Sequence, residues 1–367
     1  MSNEEPDRSV SSRKADHLRL TATTAVERAA IASWEDIHLP HRALPEIDFE
    51  EIDTGIDLFG HHLQLPLLIS SMTGGHPDAE VVNATLARAA ERFGLGMGLG
   101  SGRAMLASPE LTRTYSIARR EAPTAFLYAN IGAPQLIPQR DRPAYTGQDL
   151  MPLIEALDAG ALAVHLNFLQ ESIQPEGDTR ARGCLEAIRR LCGELPVPVL
   201  VKETGAGIGP TEVRALADAG VAAVDVSGTG GTSWAVVEAR RAGERGDLAR
   251  EALGERFATW GIPTPVALWQ SHGLGLPLLA GGGIRSGLDA AKAIAMGAVA
   301  VTVARPLLEA ALLADEAVEM WIEQFALELR TAMFLTGSRT LQDLGRVTPV
   351  LTGTLWQWLN QPPVSHS

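Results

Sequence analysis

Residues 163–178 read AVHLNFLQESIQPEGD, a strand-like apolar start followed by His165, Asn167, Gln170 and Glu171 within nine positions. Such a cluster either holds a ligand or closes a satisfied polar network at a strand end. Lys202 is a second signal, because it ends the run PVLV and an ammonium at that depth needs an anionic or electron-rich partner. Glu203 would be one such partner, although adjacent strand residues point to opposite faces. A third is AGGGIRSG, 280–287, whose unencumbered backbone N–H groups lead into a helix N-terminus and suit one phosphate group. Ala304 and Arg305 extend that cup; a plain glycine-rich turn is the simpler reading. Arg13, Lys14 and His17 near the start and Arg103 further on add positive charge, which is merely solvated unless a ligand recruits it.

The elements that must position these residues form a regular series. Apolar runs fall at 65–70, 96–100, 125–131, 161–167, 198–204, 222–228, 277–282 and 298–304, separated by segments of helical periodicity such as 77–93, 210–219 and 286–296, the last capped by Ser286. Strands apolar on both faces that alternate with helices predict a parallel sheet, and eight such units suit an α/β fold of the (β/α)8 TIM barrel type better than an open doubly wound sheet. Every run ends in polar or glycine residues (SMTGG, GSGR, ANIG, HLNFLQE, KETGAG, SGTGGTS, AGGGIR, AR), at the strand ends where barrel chemistry gathers. Neither G-x-G-x-x-G nor G-x-x-x-x-G-K-[ST] occurs in full. The expected organisation is an N-terminal arm and lead-in over 1–60, flexible at its start, then a barrel domain over 61–367. A long loop insertion, about 241–276, with Trp260, Trp269 and His272, is expected between strands six and seven, covering the site or building subunit contacts.

The 367 residues are 46% hydrophobic, enough to bury a large core in a soluble globular chain. A net charge of -13 argues against nucleic acid or other general polyanion partners, so any phosphate must be bound locally. Cys184 and Cys192 have no metal-ligand spacing around them and read as reduced thiols, and no run has signal-peptide or membrane-span character. A cytoplasmic setting follows as the expectation.

In chain order, SRKADHL, SSMTGG, GSGR, ANIGA, HLNFLQESIQPEGD, VKETGAGI, DVSGTGGTSW and GGGIRSG resemble the type 2, flavin-dependent isopentenyl diphosphate isomerases, from Arg13 to the helix after Arg305. The resemblance implies an FMN site at Ser71, Met72, Thr73, Ser101, Asn130, Lys202, Ser227, Thr232, Gly282, Gly283, Arg285, Ala304 and Arg305. It implies a substrate-diphosphate clamp of Arg13, Lys14, His17 and Arg103, joined by Ser101 and Gln170. His165, Asn167 and Gln170 match the family's substrate-side cluster, and Glu171 its magnesium ligand; Mg2+ commonly takes one or two carboxylates and completes its octahedron with water and phosphate oxygens. A homo-oligomer, tetramer or octamer, is also implied. One departure is Gly102, where the family usually has Gln.

The implied reaction moves a double bond from isopentenyl to dimethylallyl diphosphate. An unactivated allylic C–H is too weak an acid for Glu or His, so protonation to a tertiary cation comes first. On this reading Lys202, Gln170, His165, Asn167 and Trp234 form the catalytic set. Reduced FMN faces the cation, its N5 region acting as acid and base. Lys202 favours the anionic flavin, Trp234 is a cation-π neighbour, and NADPH reduces the flavin without being consumed at each turnover. Two other readings stand beside it. An FMN-dependent 2-hydroxy acid oxidase would need His-G-x-Arg, where this chain has His272 but Gly275. A catalytically inactive flavin-binding homologue takes its support from Gly102.

Overall fold

A computed structural model describes residues 8–361 except 24, 29 and 141, with the backbone alone for 8–13 and 23. Eight strands form a closed barrel: β1 (Leu67–Ile69), β2 (Gly96–Gly98), β3 (Phe126–Gly132), β4 (Ala161–Leu166), β5 (Val199–Glu203), β6 (Ala223–Asp225), β7 (Leu278–Gly281) and β8 (Ala300–Val303). Each pairs in parallel with its neighbours in chain order, and β8 returns to β1, so the barrel has no exposed sheet edge. Seven lie within the apolar runs, and β3 runs one residue past its own, to Gly132. Closure consumes every backbone group that an open sheet would leave at its edges.

The pleat decides what the barrel holds, because alternate residues of each strand point inward. The lower interior layer is apolar: Leu68, Phe126, Tyr128, Ala161, Ala163, Leu200, Ala223, Leu279 and Ala300 pack together with Leu58 and Leu63. Those two leucines belong to the antiparallel hairpin Ile56–Leu58/His61–Leu63. Two residues further along, the same inward faces carry Asn130, His165, Lys202, Asp225, Gly281 and Thr302. A polar layer therefore rests on an apolar floor.

The long-loop expectation needs correction, and the arm from Arg8 onward is a helix, α1 (Arg8–Thr23), whose buried Leu20 finds an apolar partner. Its Leu20, with Val26 beyond, packs on Val236 and Val237 of α3 (Trp234–Glu244). The insertion lies between β6 and β7 as expected but is mostly helical: after α3 come α4 (Leu248–Arg256) and α5 (Thr264–Ser271). Asp247 starts α4 by accepting from the Arg250 N–H. The lead-in also binds the barrel rim, where Trp34 Nε1 donates to Gly282 O at 3.3 Å and Ile37–His38 pairs with Val350–Leu351. No described helix is long and apolar enough to cross a membrane.

Candidate active site

One cleft at the carboxyl ends of the strands encloses about 1720 Å³ of space, its open mouth included. Every described residue that the sequence singled out for cofactor, substrate or metal lines it, from Lys14 and His17 to Ala304 and Arg305. The Arg13 side chain lies outside the described residues.

At the tips of β7 and β8 is a cup that suits a phosphate. Gly282 and Gly283 have φ of 93° and 79°, the left-handed region that favours glycine. A Cβ on Gly282 would stand 2.2 Å from Gly228 O, so the two turns approach as only bare backbone allows. Ser286 then caps the helix Gly287–Ala295 by accepting from the Asp289 N–H, directing that helix's positive end toward the cup. Arg285 and Arg305 supply charge, and Glu27 meets both: it pairs with Arg285 Nη2 and lies 3.8 Å from Arg305 Nη1. Sequence reading did not single out Glu27.

In the polar layer Lys202 is 5% exposed and its Nζ donates to Glu203 O at 2.7 Å. The Glu203 carboxylate faces elsewhere, accepting from the N–H groups of Thr204, Gly205 and Ala206. Burial lowers the Lys202 pKa, with Asp225 and Glu203 opposing that effect. Asp225, also missed from sequence, is 1% exposed and organises the neighbouring tips. Its Oδ1 accepts from Ser227 Oγ at 2.8 Å and Gly281 N at 3.0 Å, and its Oδ2 from Thr302 Oγ1 at 2.8 Å. Ser227 holds φ of 31°, a strained value for a non-glycine residue that these bonds maintain.

The opening cluster is assembled around α2 (Phe168–Ile173), which begins where β4 ends. His165 Nδ1 lies 2.9 Å from Asn130 Oδ1, an acceptor, so Nδ1 carries the ring proton. Burial, then Lys202 and Lys14, push its pKa down to about 3 and keep the ring neutral. Asn167 Nδ2 donates to Glu171 Oε1 at 3.0 Å, while Glu171 Oε2 accepts from Gln174 Nε2 at 2.5 Å and Asp178 N at 2.7 Å. Asn167 Oδ1 is buried without a hydrogen-bond partner. Among the described residues no group of three or more His, Cys, Asp or Glu forms a metal cage. Glu171 is the sole carboxylate of the predicted set in this part of the cleft.

Helix α1 lies along the cleft. Lys14 Nζ donates to Gly74 O, Ser101 O and Tyr115 Oη at 2.5, 2.9 and 2.8 Å, an anchorage no sequence signal announced. His17 Nε2 meets Glu238 Oε1 at 2.7 Å and its ring stands edge-on to Trp234, centroids 5.2 Å apart. Gln170 Nε2 donates to that same Glu238 oxygen at 2.8 Å, and the other oxygen faces Arg241 Nη1 at 3.3 Å. Sequence reading singled out neither Glu238 nor Arg241, yet each is 2% exposed.

Two doubts from the sequence have structural answers. Gly102 does not line the cleft; a Cβ there would lie 2.2 Å from Leu153 Cδ2, so the absence of a side chain serves packing. His272 is exposed and outside the cleft, in no position to act as an oxidase base.

A profile described as FMN-dependent dehydrogenase matches residues 12–108 and 154–349. The chain is 48% identical over 352 residues to the isopentenyl-diphosphate delta-isomerase of Methanosarcina barkeri, covering 96% of this chain and 94% of the relative. It is 50% identical over 355 residues to the enzyme of that name from Methanoregula boonei, covering 96% and 97%. A solved structure of mandelate oxidase superposes with TM-score 0.60 at 21% identity, over 92% of this chain and 94% of that one, a likeness of fold. With this cleft and these relatives, the chain belongs to the FMN-dependent dehydrogenase family, in its type 2 isopentenyl-diphosphate delta-isomerase branch.

Proposed function

We propose that the protein interconverts isopentenyl diphosphate and dimethylallyl diphosphate, using reduced FMN and Mg2+. The observation that supports this reading is that two clusters of basic and bare-backbone groups lie across one barrel mouth. In the closed strand order β7 and β8 lie opposite β3 and β4, so the glycine cup faces the Asn130–His165–Glu171 side. One region suits a cofactor phosphate and the other a substrate diphosphate. Lys202 and Asp225 lie in the layer between them.

The bare-backbone cradle of Gly282 and Gly283, beside Arg285 and Arg305, fits the FMN phosphate, and Ser71, Met72, Thr73, Ser101, Asn130, Ser227, Thr232 and Ala304 would line the rest of its bed. When bound and reduced, FMN supplies the electron-rich surface against which a tertiary carbocation is tolerated. The remaining work falls to the chain. Lys202 places a buried positive charge that favours an anionic partner. Arg13, Lys14, His17, Arg103 and, through Mg2+, Glu171 tether the diphosphate and fix the alkene. Neutral His165, Asn167 and Gln170 orient the isoprenoid tail and its phosphate, and Trp234 covers the cation. NADPH as reductant, a tetrameric or octameric assembly and a cytoplasmic location belong to the same proposal.

FMN-loaded, dithionite-reduced protein supplied with isopentenyl diphosphate and Mg2+ is expected to give dimethylallyl diphosphate. Peroxide from 2-hydroxy acids without isomerisation would overturn the reading in favour of an oxidase. Glu171→Gln is expected to raise the Mg2+ requirement and depress turnover; an unchanged metal dependence would remove Glu171 from the metal site.

A further inference from the structure

We propose that Asp178 is a positioning residue for diphosphate recognition, holding Arg103 with its side chain and Glu171 with its backbone. The inference rests on the diphosphate reading of this part of the cleft. Asp178 is 3% exposed and does not line the cleft, whereas Arg103, Gln135 and Glu171 do. Its Oδ2 accepts from Arg103 Nη1 at 3.1 Å and Gln135 Nε2 at 3.2 Å, and its Oδ1 pairs with Arg142 Nη2. Its N–H donates to Glu171 Oε2 at 2.7 Å. The close approach depends on Gly177, where a Cβ would lie 1.8 Å from Glu171 O. A cation that follows β2 and a carboxylate that follows β4, far apart in sequence, are thereby fixed by one residue.

Two physical effects oppose each other here, and their signs differ. Asp178 is a negative charge near an anion site, so Coulomb's law alone says that neutralising it tightens diphosphate binding. Positioning says the reverse. A guanidinium without its buried, charge-assisted partner loses its fixed direction and spends binding energy on being ordered. Asp178 is buried outside the cleft lining and bonded directly to the groups that would grip a diphosphate, so positioning dominates.

The test is calorimetric titration of inorganic pyrophosphate, with Mg2+ present, into FMN-loaded protein. Asp178→Asn is expected to bind pyrophosphate about tenfold more weakly, in the range seen when groups behind a binding residue are removed. FMN affinity should stay unchanged. Arg103→Met should weaken binding similarly, and adding Asp178→Asn to it should cost little more, because both act through one guanidinium. Tighter or unchanged binding in Asp178→Asn, or losses that multiply in the double variant, would overturn the proposal. If Asp178→Asn does not fold, Asp178→Glu carries the test: the charge stays, the carboxylate is displaced, and the same loss is expected, with unaltered affinity contradicting it. Parent protein that ignores pyrophosphate would instead remove the diphosphate reading itself.

Discussion

His17 and Gln170 reach the same oxygen, Glu238 Oε1, at 2.7 and 2.8 Å. One buried carboxylate thus ties the N-terminal helix to α2 at the barrel mouth. Burial alone would raise the Glu238 pKa, but His17, Gln170 and Arg241 together hold it down at about 2. Its folded value lies below the 4.5 of an ordinary glutamate, so this stabilisation is complete above pH 4.5 and is lost as pH falls toward 2. Glu238→Gln is expected to cost about 3 kcal/mol at pH 7, since Arg241 keeps its burial and loses a partner. Urea unfolding at pH 7 and below 4.5 checks this: the gap between variant and parent should shrink in acid.

His165 titrates in the opposite sense, as a base kept neutral. Its pKa falls from 6.5 to about 3, so the unfolded chain takes up a proton before the folded one does. Parent stability should fall relative to His165→Gln as pH drops from 6.5 to 3, at up to about 1.4 kcal/mol per pH unit. Above pH 6.5 the difference should be flat. Unfolding free energies at pH 4.5, 5.5 and 7.5 decide it, and a pH-independent difference would show that His165 titrates normally.

Glu27 pairs with Arg285 and lies near Arg305, the two arginines proposed to meet the cofactor phosphate. Glu27→Gln is expected to tighten FMN binding by about threefold, the scale of a partly exposed ion pair. Quenching of flavin fluorescence on titration into apoprotein measures it; weaker binding would mean that Glu27 supports the cup.

Gly102 has room for no side chain against Leu153. Gly102→Ala should lower stability by about 1–3 kcal/mol through overpacking, and Leu153→Ala in the same chain should recover part of that loss. Thermal unfolding reads both, with flavin content as the control on the barrel.

Much of this architecture was legible in sequence because its causes are local. Strands buried on both faces are continuous apolar runs, and the pleat carries the inward polar residues two positions beyond the apolar layer, so His165 and Lys202 announced themselves. The glycines of AGGGIRSG were readable for the same reason. Glu238 was not: in WAVVEARRAGE it looks like one more solvated charge, and its partner His17 lies 221 positions away. Asp178, 75 positions from Arg103, was hidden likewise. Helix α1 escaped because the polar residues around Leu20 masked a single apolar contact whose partners, Val236 and Val237, lie more than 200 positions away. Asp225 was in plain sight within AAVDVSG, where an acid inside an apolar strand was the overlooked signal.

The central claim is that the alkene is isomerised beside a reduced flavin. Proton NMR of isopentenyl diphosphate incubated with Mg2+ and FMN-loaded protein, oxidised in one tube and reduced in the other, tests it directly. Reduced protein should carry either isomer to the same equilibrium mixture while oxidised protein leaves it untouched; equal rates in the two tubes would contradict the account.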